Sequence, residues 1–121
     1  MRACATPIDV RPLSLPKSDP LTHYCITRAD LPRGVQAAQL IHAAGESSPG
    51  DLPPGTFAIA LTVPDEPALR ALARRLGMAE ILHRGIYEVD EPWNGQMMAI
   101  GIAPARRSVL KKLLSELPLL K

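Results

Sequence analysis

A strand-like run leads directly into a helix-like run in the segment Thr22-His-Tyr-Cys-Ile-Thr-Arg-Ala-Asp-Leu-Pro-Arg-Gly-Val-Gln-Ala-Ala-Gln-Leu-Ile-His-Ala-Ala-Gly45. Its first seven residues are rich in β-forming side chains and predict a strand over 22–28. Asp30 and Pro32 then form a helix-start pattern, in which the carboxylate is a candidate cap and proline takes the first turn. The alanine-rich run that follows has a helical composition, and Gly45 is expected to end the helix.

The next part of the chain repeats this strand-then-helix pattern. Residues 56–63 are a nearly continuous apolar run of strand length, which suits a strand buried on both faces. Pro64 ends that run, and Asp65 follows as the candidate cap of a second helix that Gly77 is expected to end. The buried stripe of this helix is predicted to comprise Leu69, Leu72, Ala73 and Leu76.

Two further strands and a last helix complete the chain. Residues 79–84 and 96–102 read as strands, and residues 106–117 as a helix that buries Val109, Leu110, Leu113, Leu114 and Leu117. The predicted order is β-α-β-α-β-β-α. Strands joined through helices pair in parallel, whereas the last two strands have no helix between them. We therefore predict a single-domain α/β fold, with a four-stranded mixed sheet and helices on both faces.

Length and composition are those of one globular domain. The chain has 121 residues, of which 46% are hydrophobic and 21% are charged, so a disordered chain is excluded. Only 3% are aromatic, which argues against a nucleic-acid platform that stacks bases on several rings. Neither a Walker loop nor a dinucleotide fingerprint is present, and the two cysteines have no zinc spacing. No metal and no other cofactor is predicted.

The start of the chain is rich in proline. Four of its 13 prolines fall within residues 1–20, so we predict a flexible tail there and a folded domain over 21–121. The tail has no apolar run followed by a small-residue cleavage pattern, and no stretch of 18 apolar residues occurs anywhere. We therefore expect a cytoplasmic protein with no membrane segment.

The first predicted helix carries an unusual polar stripe. At about 100° per residue, Val35, Gln36, Gln39 and His42 share one third of its circumference, while alanine, leucine and isoleucine fill most of the rest. One interpretation is an ordinary exposed face. The other is a site, because a solvated face usually uses lysine and glutamate, whereas amides and imidazoles suit a carbonyl, a hydroxyl or a water.

Positive charge is concentrated near the end of the chain. Residues 104–121 carry five basic side chains against Glu116 alone. This pattern fits either a solvated helix face or a face that contacts phosphates. Two of the cations stand where a helix should begin and so oppose its macrodipole, which favours the second interpretation. The five basic residues are Arg106, Arg107, Lys111, Lys112 and Lys121.

Residues 28–44 resemble the first strand-loop-helix of the type 2 peptidyl-tRNA hydrolase family, where Asp-Leu and a basic, glycine-containing loop precede Ala-Ala-Gln-x-x-His-Ala. Residues 63–73 are similar to the family's second strand and helix. Gly101-Ile-Ala-Pro104 resembles the Gly-x-x-Pro that follows its last strand. The likeness extends over roughly residues 22–121. It is greatest to a divergent branch of the family, the peptidyl-tRNA hydrolase domain-containing proteins. It implies a four-stranded mixed sheet between helices, hydrolysis of the ester between a peptide and tRNA, tRNA as partner, and a homodimer.

The resemblance also implies roles for individual residues. His42 would orient or deprotonate the attacking water, and Gln39 would donate to the carbonyl. His83 stands where the family has an aspartate, and it is either a replacement base or a strand residue satisfied by a backbone carbonyl. The other expected contacts are Arg33, Gln36 and Tyr87 to the substrate, and Arg84, Arg106, Arg107, Lys111 and Lys112 to tRNA phosphates.

Three positions depart from the family pattern. Val35, His83 and Tyr87 stand where the family has lysine, aspartate and threonine. Residues that act as a catalytic unit fail together. These departures favour a second hypothesis, in which the protein keeps the fold and binds tRNA or a protein without cleaving it. A third hypothesis is an enzyme that acts on a small ester or amide.

Overall fold

Strands and helices alternate along the chain in the computed structural model, which describes residues 19–121. The elements are β1 (Leu21–Arg28), α1 (Arg33–Ser47), β2 (Phe57–Val63), α2 (Glu66–Met78), β3 (His83–Glu88), β4 (Gln96–Ile102), β5 (Ala105–Arg106) and α3 (Arg107–Leu114). The predicted α/β class is confirmed. The two-residue β5 is an addition to the predicted order and makes the sheet five-stranded.

The sheet is mixed and has the strand order β2-β1-β4-β3. β1 and β2 are parallel because α1 crosses over between them. β4 runs antiparallel to both β1 and β3, and β5 pairs antiparallel with the start of β1. α1 and α2 therefore both begin at the edge of the sheet where β1 and β2 end, which is the edge where α/β proteins commonly bind ligands.

Helices cover both faces of the sheet, as predicted. The main core lies between the sheet and the pair α2 and α3; its largest buried side chains include Ile26, Leu69, Leu72, Ile100 and Leu110. The cluster beneath α1 is small and is built from Cys25, Ala43, Ile86 and Ala99. Since these residues are mostly small, α1 lies close to the sheet.

The predicted helix ends were partly wrong. α1 passes through Gly45 to Ser47, because the Ser47 hydroxyl lies 2.7 Å from His23 Nε2 and ties the last turn to β1. Asp30 is not a cap, since its carboxylate pairs with Arg28. Asp65 does cap α2, accepting from the Ala68 amide at 3.1 Å. α2 passes Gly77, and α3 ends at Leu114 and leaves Val109 exposed.

Two strand predictions also need correction. The third strand covers 83–88 instead of 79–84, because Glu80 adopts a positive φ of 58° and Ile81 N–H bonds back to Leu76. Residues 79–82 therefore form the turn that ends α2. β2 is an edge strand instead of one buried on both faces, and Phe57 at its start is 53% exposed.

The first described residues, Asp19 and Pro20, contact the last helix. Asp19 accepts hydrogen bonds from the Ser108 amide at 2.8 Å and the Ser108 hydroxyl at 2.9 Å, and Pro20 O accepts from Arg107 N–H. These two residues belong to the predicted tail, the rest of which, 1–18, lies outside the described residues. The Asp19 carboxylate supplies the negative charge that the basic start of α3 lacks.

We expect Asp19→Asn to lower the thermal midpoint at about pH 6 and to have no effect in strong acid. The hydrogen bonds from Ser108 lower the pKa of Asp19 from its usual 3.8. A lowered carboxyl pKa gives stability that is complete above that usual value and lost as the pH falls through the folded value. Thermal melts of both proteins across this range test the prediction. A difference that persists unchanged into acid would contradict it.

Candidate functional site

The structure shows which face of α1 packs against the sheet. Gln36 and Gln39 are buried against the sheet, together with Ala43 and Ser47, whereas the alanines at 37 and 38 and the isoleucine at 41 face outward. The amides face inward because the sheet beneath them offers polar partners, and alanine side chains tolerate exposure. The interpretation of the polar stripe as an ordinary exposed face therefore does not hold for Gln36 and Gln39, which are each 8% exposed.

One side of the first turns of α1 borders a basic cavity of about 400 Å³, lined among others by Arg33, Gln36, Thr62 and Lys121. Gln36 Nε2 donates to Arg28 O at 3.1 Å, which joins the helix to the end of β1. α1 has no acidic residue in its first turn and no side-chain cap. Its first amide groups and the two cations therefore attract an anion.

The other side of α1 borders an acidic cavity of about 340 Å³, lined among others by Gln39, Glu88, Asp90, Glu91 and Trp93. Gln39 is only 8% exposed, and its Nε2 lies 3.5 Å from Glu88 Oε1. Gln39 Oε1 is fully buried and has no hydrogen-bond partner within the described chain. An acceptor in this state is costly unless a ligand or water donates to it.

His42 lies at the open end of the same flank. It is exposed, and at about 100° per residue it follows the line of Val35, Ala38 and Gln39, all of which line the acidic cavity. His42 follows Gln39 by three residues, so the two positions lie about one turn apart along this flank. The structure therefore brings Gln39 and His42 to one flank, with Gln39 inside the cavity and His42 outside it.

His83 and Tyr87 belong to the opposite face of the sheet. They pair across strands with Ile102 and Met97, which both belong to the core beneath α2 and α3. His83 Nδ1 lies 2.8 Å from Ile81 O, and the Arg70 guanidinium stands 5.8 Å from the centre of the Tyr87 ring. The structure does not bring these two residues to the flank that carries Gln39 and His42.

The predicted tRNA-binding residues fall on two surfaces. Arg106 at the end of β5 and Lys111 and Lys112 on α3 are exposed, and Arg107 is half-buried with its guanidinium 5.7 Å from the Phe57 ring centre. Exposed Arg74 and Arg75 extend this charge onto α2, and we call the combined surface the α2–α3 layer. Arg84 lies apart on β3, beside a third cavity of about 390 Å³.

A buried polar cluster fixes the end of α1. The Ser47 hydroxyl donates to Ala43 O at 2.7 Å, so His23 Nε2, 2.7 Å from the same hydroxyl, must be the donor in that contact. Burial lowers the pKa of His23 and raises the pKa of the Cys25 thiol to about 11. A thiol that stays protonated at neutral pH is no nucleophile, so this cluster is structural.

Sequence reasoning missed four residues that line the acidic cavity: Glu88, Asp90, Glu91 and Trp93. The acidic residues were visible as a cluster in the polar connection before β4. Their meeting with Gln39 depends on the pairing of β3 with β4 beneath α1, which no local pattern reveals.

Within residues 19–121, no helix combines the length and the apolar character needed to cross a membrane. A scan against protein-family models finds none that matches the chain. No curated protein matches it either. The likeness to type 2 peptidyl-tRNA hydrolases therefore stands on the motifs quoted above.

Proposed function

We propose that the protein hydrolyses the ester that joins an amino acid or a peptide to the terminal ribose of tRNA, and that the reaction takes place at the first turns of α1. One observation supports this most: these turns separate a cavity lined by Arg33 and Lys121 from a cavity lined by Gln39. The substrate has the matching asymmetry, since phosphates lie on one side of its ester and an acyl group on the other.

The chemistry assigned to this flank is that of general base catalysis. His42 accepts the proton of a water that attacks the carbonyl carbon, since histidine is the side chain that most often serves as a general base. Gln39 positions the acyl group, because its carbonyl oxygen is a buried acceptor with no partner among residues 19–121. Arg33 and the start of α1 hold the phosphate next to the ester.

The body of the tRNA would contact the positively charged α2–α3 layer. The α2–α3 layer offers six basic side chains, four of them on or next to α3, and such a layer holds a nucleic-acid backbone by phosphate contacts without reading bases. This part of the proposal is independent of the reaction.

We expect His42→Ala to lower hydrolysis of aminoacyl-tRNA or N-acetylaminoacyl-tRNA about 100-fold, the usual contribution of a general base. The exposed position of His42 predicts an unchanged fold, which circular dichroism checks. Ile41→Ala is the matched control, because Ile41 is the 72% exposed neighbour that faces away from both cavities. Release of labelled amino acid is the measurement. Equal rates for the wild type and His42→Ala, or no rate above buffer, would refute the reaction.

A second candidate is a tRNA-binding protein without turnover. It is favoured by the position of His83 and Tyr87 on the opposite face of the sheet, which leaves His42 without a second candidate base on the flank that carries Gln39. Binding to tRNA that weakens with salt and with Lys111→Gln/Lys112→Gln, in a protein that releases no amino acid, would support this candidate over the hydrolase.

A further inference from the structure

The acidic cavity is built to hold a positive charge. Three carboxylate-bearing residues, Glu88, Asp90 and Glu91, line it together with the Trp93 ring, and none of its lining residues in the described chain is basic. The Arg28 guanidinium, 5.7 Å from the centre of the Trp93 ring, is held by both carboxylate oxygens of Asp30 at 2.9 and 3.0 Å, which partly neutralises its charge.

Gln39 shows which kind of cation fits. Its Nε2 is directed to Glu88, so its amide is oriented with Oε1 as the free acceptor, and that oxygen is buried without a partner among the described residues. A buried acceptor is satisfied by a group that carries N–H or O–H donors. A protonated primary amine has three such donors, and it also carries the charge that the carboxylates attract.

The aromatic ring and the size of the cavity agree with an organic cation. Aromatic faces attract cations, and the Arg28 guanidinium already occupies one face of the Trp93 ring at 5.7 Å from its centre. The acidic residues within 19–121 are not gathered as a group of three that could hold a metal ion. The cavity is an open depression of about 340 Å³, which has room for an ammonium group with a small side chain attached.

We propose that the acidic cavity binds the protonated α-amino group of an aminoacyl ester, so that the substrate of this site carries a free amine instead of an N-acylated one. This inference rests on the proposed function for the identity of the ester. The α-amino nitrogen is two bonds from the ester carbonyl carbon. An ammonium group beside Gln39 therefore places the carbonyl carbon on the side of α1 that carries both Gln39 and His42. Acylation removes both the charge and two of the donors.

The reaction balances as a hydrolysis. Water adds to the carbonyl carbon, and the bond between that carbon and the ribose oxygen breaks. One water proton ends on the ribose oxygen. The amino acid leaves as a zwitterion, and its carboxyl proton passes to solvent.

The test is a titration followed by the fluorescence of Trp93, which is the only tryptophan of the chain. L-alaninamide, protonated at about pH 6.5, should change the emission saturably, whereas N-acetyl-L-alaninamide should not. Nα-acetyl-L-lysinamide carries the same charge on a side chain and should bind more weakly. The proposal fails if either acetylated compound binds as tightly as alaninamide, or if alaninamide does not bind.

Variants locate the binding. Asp90→Asn and Glu88→Gln should each weaken alaninamide binding about tenfold, the effect of one charge-assisted hydrogen bond. Glu116→Gln removes an exposed carboxylate just after α3 and should leave the affinity unchanged. Equal weakening by all three variants would indicate general electrostatics and overturn the proposed site.

A comparison of esters separates this inference from the proposed function. If alaninamide binds and no ester is hydrolysed, the amine site stands and the hydrolase proposal fails. If alanyl-tRNA and N-acetylalanyl-tRNA are hydrolysed at equal rates, the hydrolase proposal stands and the amine site fails. The expected result is a rate at least tenfold higher for alanyl-tRNA.

Discussion

Gly101→Ala should destabilise the protein by about 3 kcal/mol, at the upper end for an overpacked core. Gly101 lies in β4 on the face that α1 covers. A Cβ at this position would collide with the carbonyl group of Ala43 and with the Ser47 hydroxyl. The carbonyl is backbone and cannot rotate away, so α1 must move as a unit.

The measurement is urea unfolding at constant pH, and Gly45→Ala is the matched control. Gly45 lies within α1, and a Cβ there would meet nothing within 4 Å. Alanine at Gly45 should therefore stabilise the protein by about 0.5–1 kcal/mol through helix propensity. If Gly101→Ala lowered the free energy of unfolding by less than about 1 kcal/mol, the close contact between α1 and β4 would be contradicted.

The same variant bears on the site. Gln39 is fixed to α1 one turn before Ala43, and its partner Glu88 is fixed to β3. When α1 is displaced from the sheet, the two walls of the acidic cavity separate. Gly101→Ala should therefore also weaken the binding of alaninamide, even at temperatures where the variant is fully folded.

The class of fold was predictable because strong local signals mark its elements. Pro64 and Asp65 separate β2 from α2, and the capping bond from Asp65 to Ala68 is the one that the sequence pattern predicts. The third strand was misplaced because Glu80 takes a positive φ, a conformation that glutamate rarely adopts and that no residue pattern announces.

The site was less predictable for a different reason. A helical projection gives the angles between Gln36, Gln39 and His42, and the structure keeps those angles. It does not tell which side of a helix rich in alanine faces the sheet. That choice is made by partners distant in sequence, the Arg28 carbonyl for Gln36 and the Glu88 carboxylate for Gln39. Local patterns contain no information about such partners.

Arg28→Met should lower the free energy of unfolding by about 3 kcal/mol, because the buried guanidinium donates hydrogen bonds to several groups at once. Arg28 is 5% exposed and donates to Gln96 Oε1 at 2.8 Å, to Met97 O at 3.1 Å and to both carboxylate oxygens of Asp30. The Asp30 side chain is 42% exposed, so water screens the ion pair. We therefore assign most of the loss to the two acceptors from β4, which methionine leaves without a donor.

The pH dependence of the unfolding free energy shows how much of this loss of stability comes from the ion pair between Arg28 and Asp30. Hydrogen bonds from Arg28 lower the pKa of Asp30 from its usual 3.8, so this contribution is complete above that value and disappears as the pH falls through the lowered one. The difference in unfolding free energy between wild type and Arg28→Met should shrink in acid without vanishing, since the bonds to β4 do not titrate. Arg74→Met, at an exposed site on α2, should stay within about 0.5 kcal/mol of wild type. A difference independent of pH would contradict the role of Asp30, and one that vanished in acid would contradict that of Gln96 and Met97.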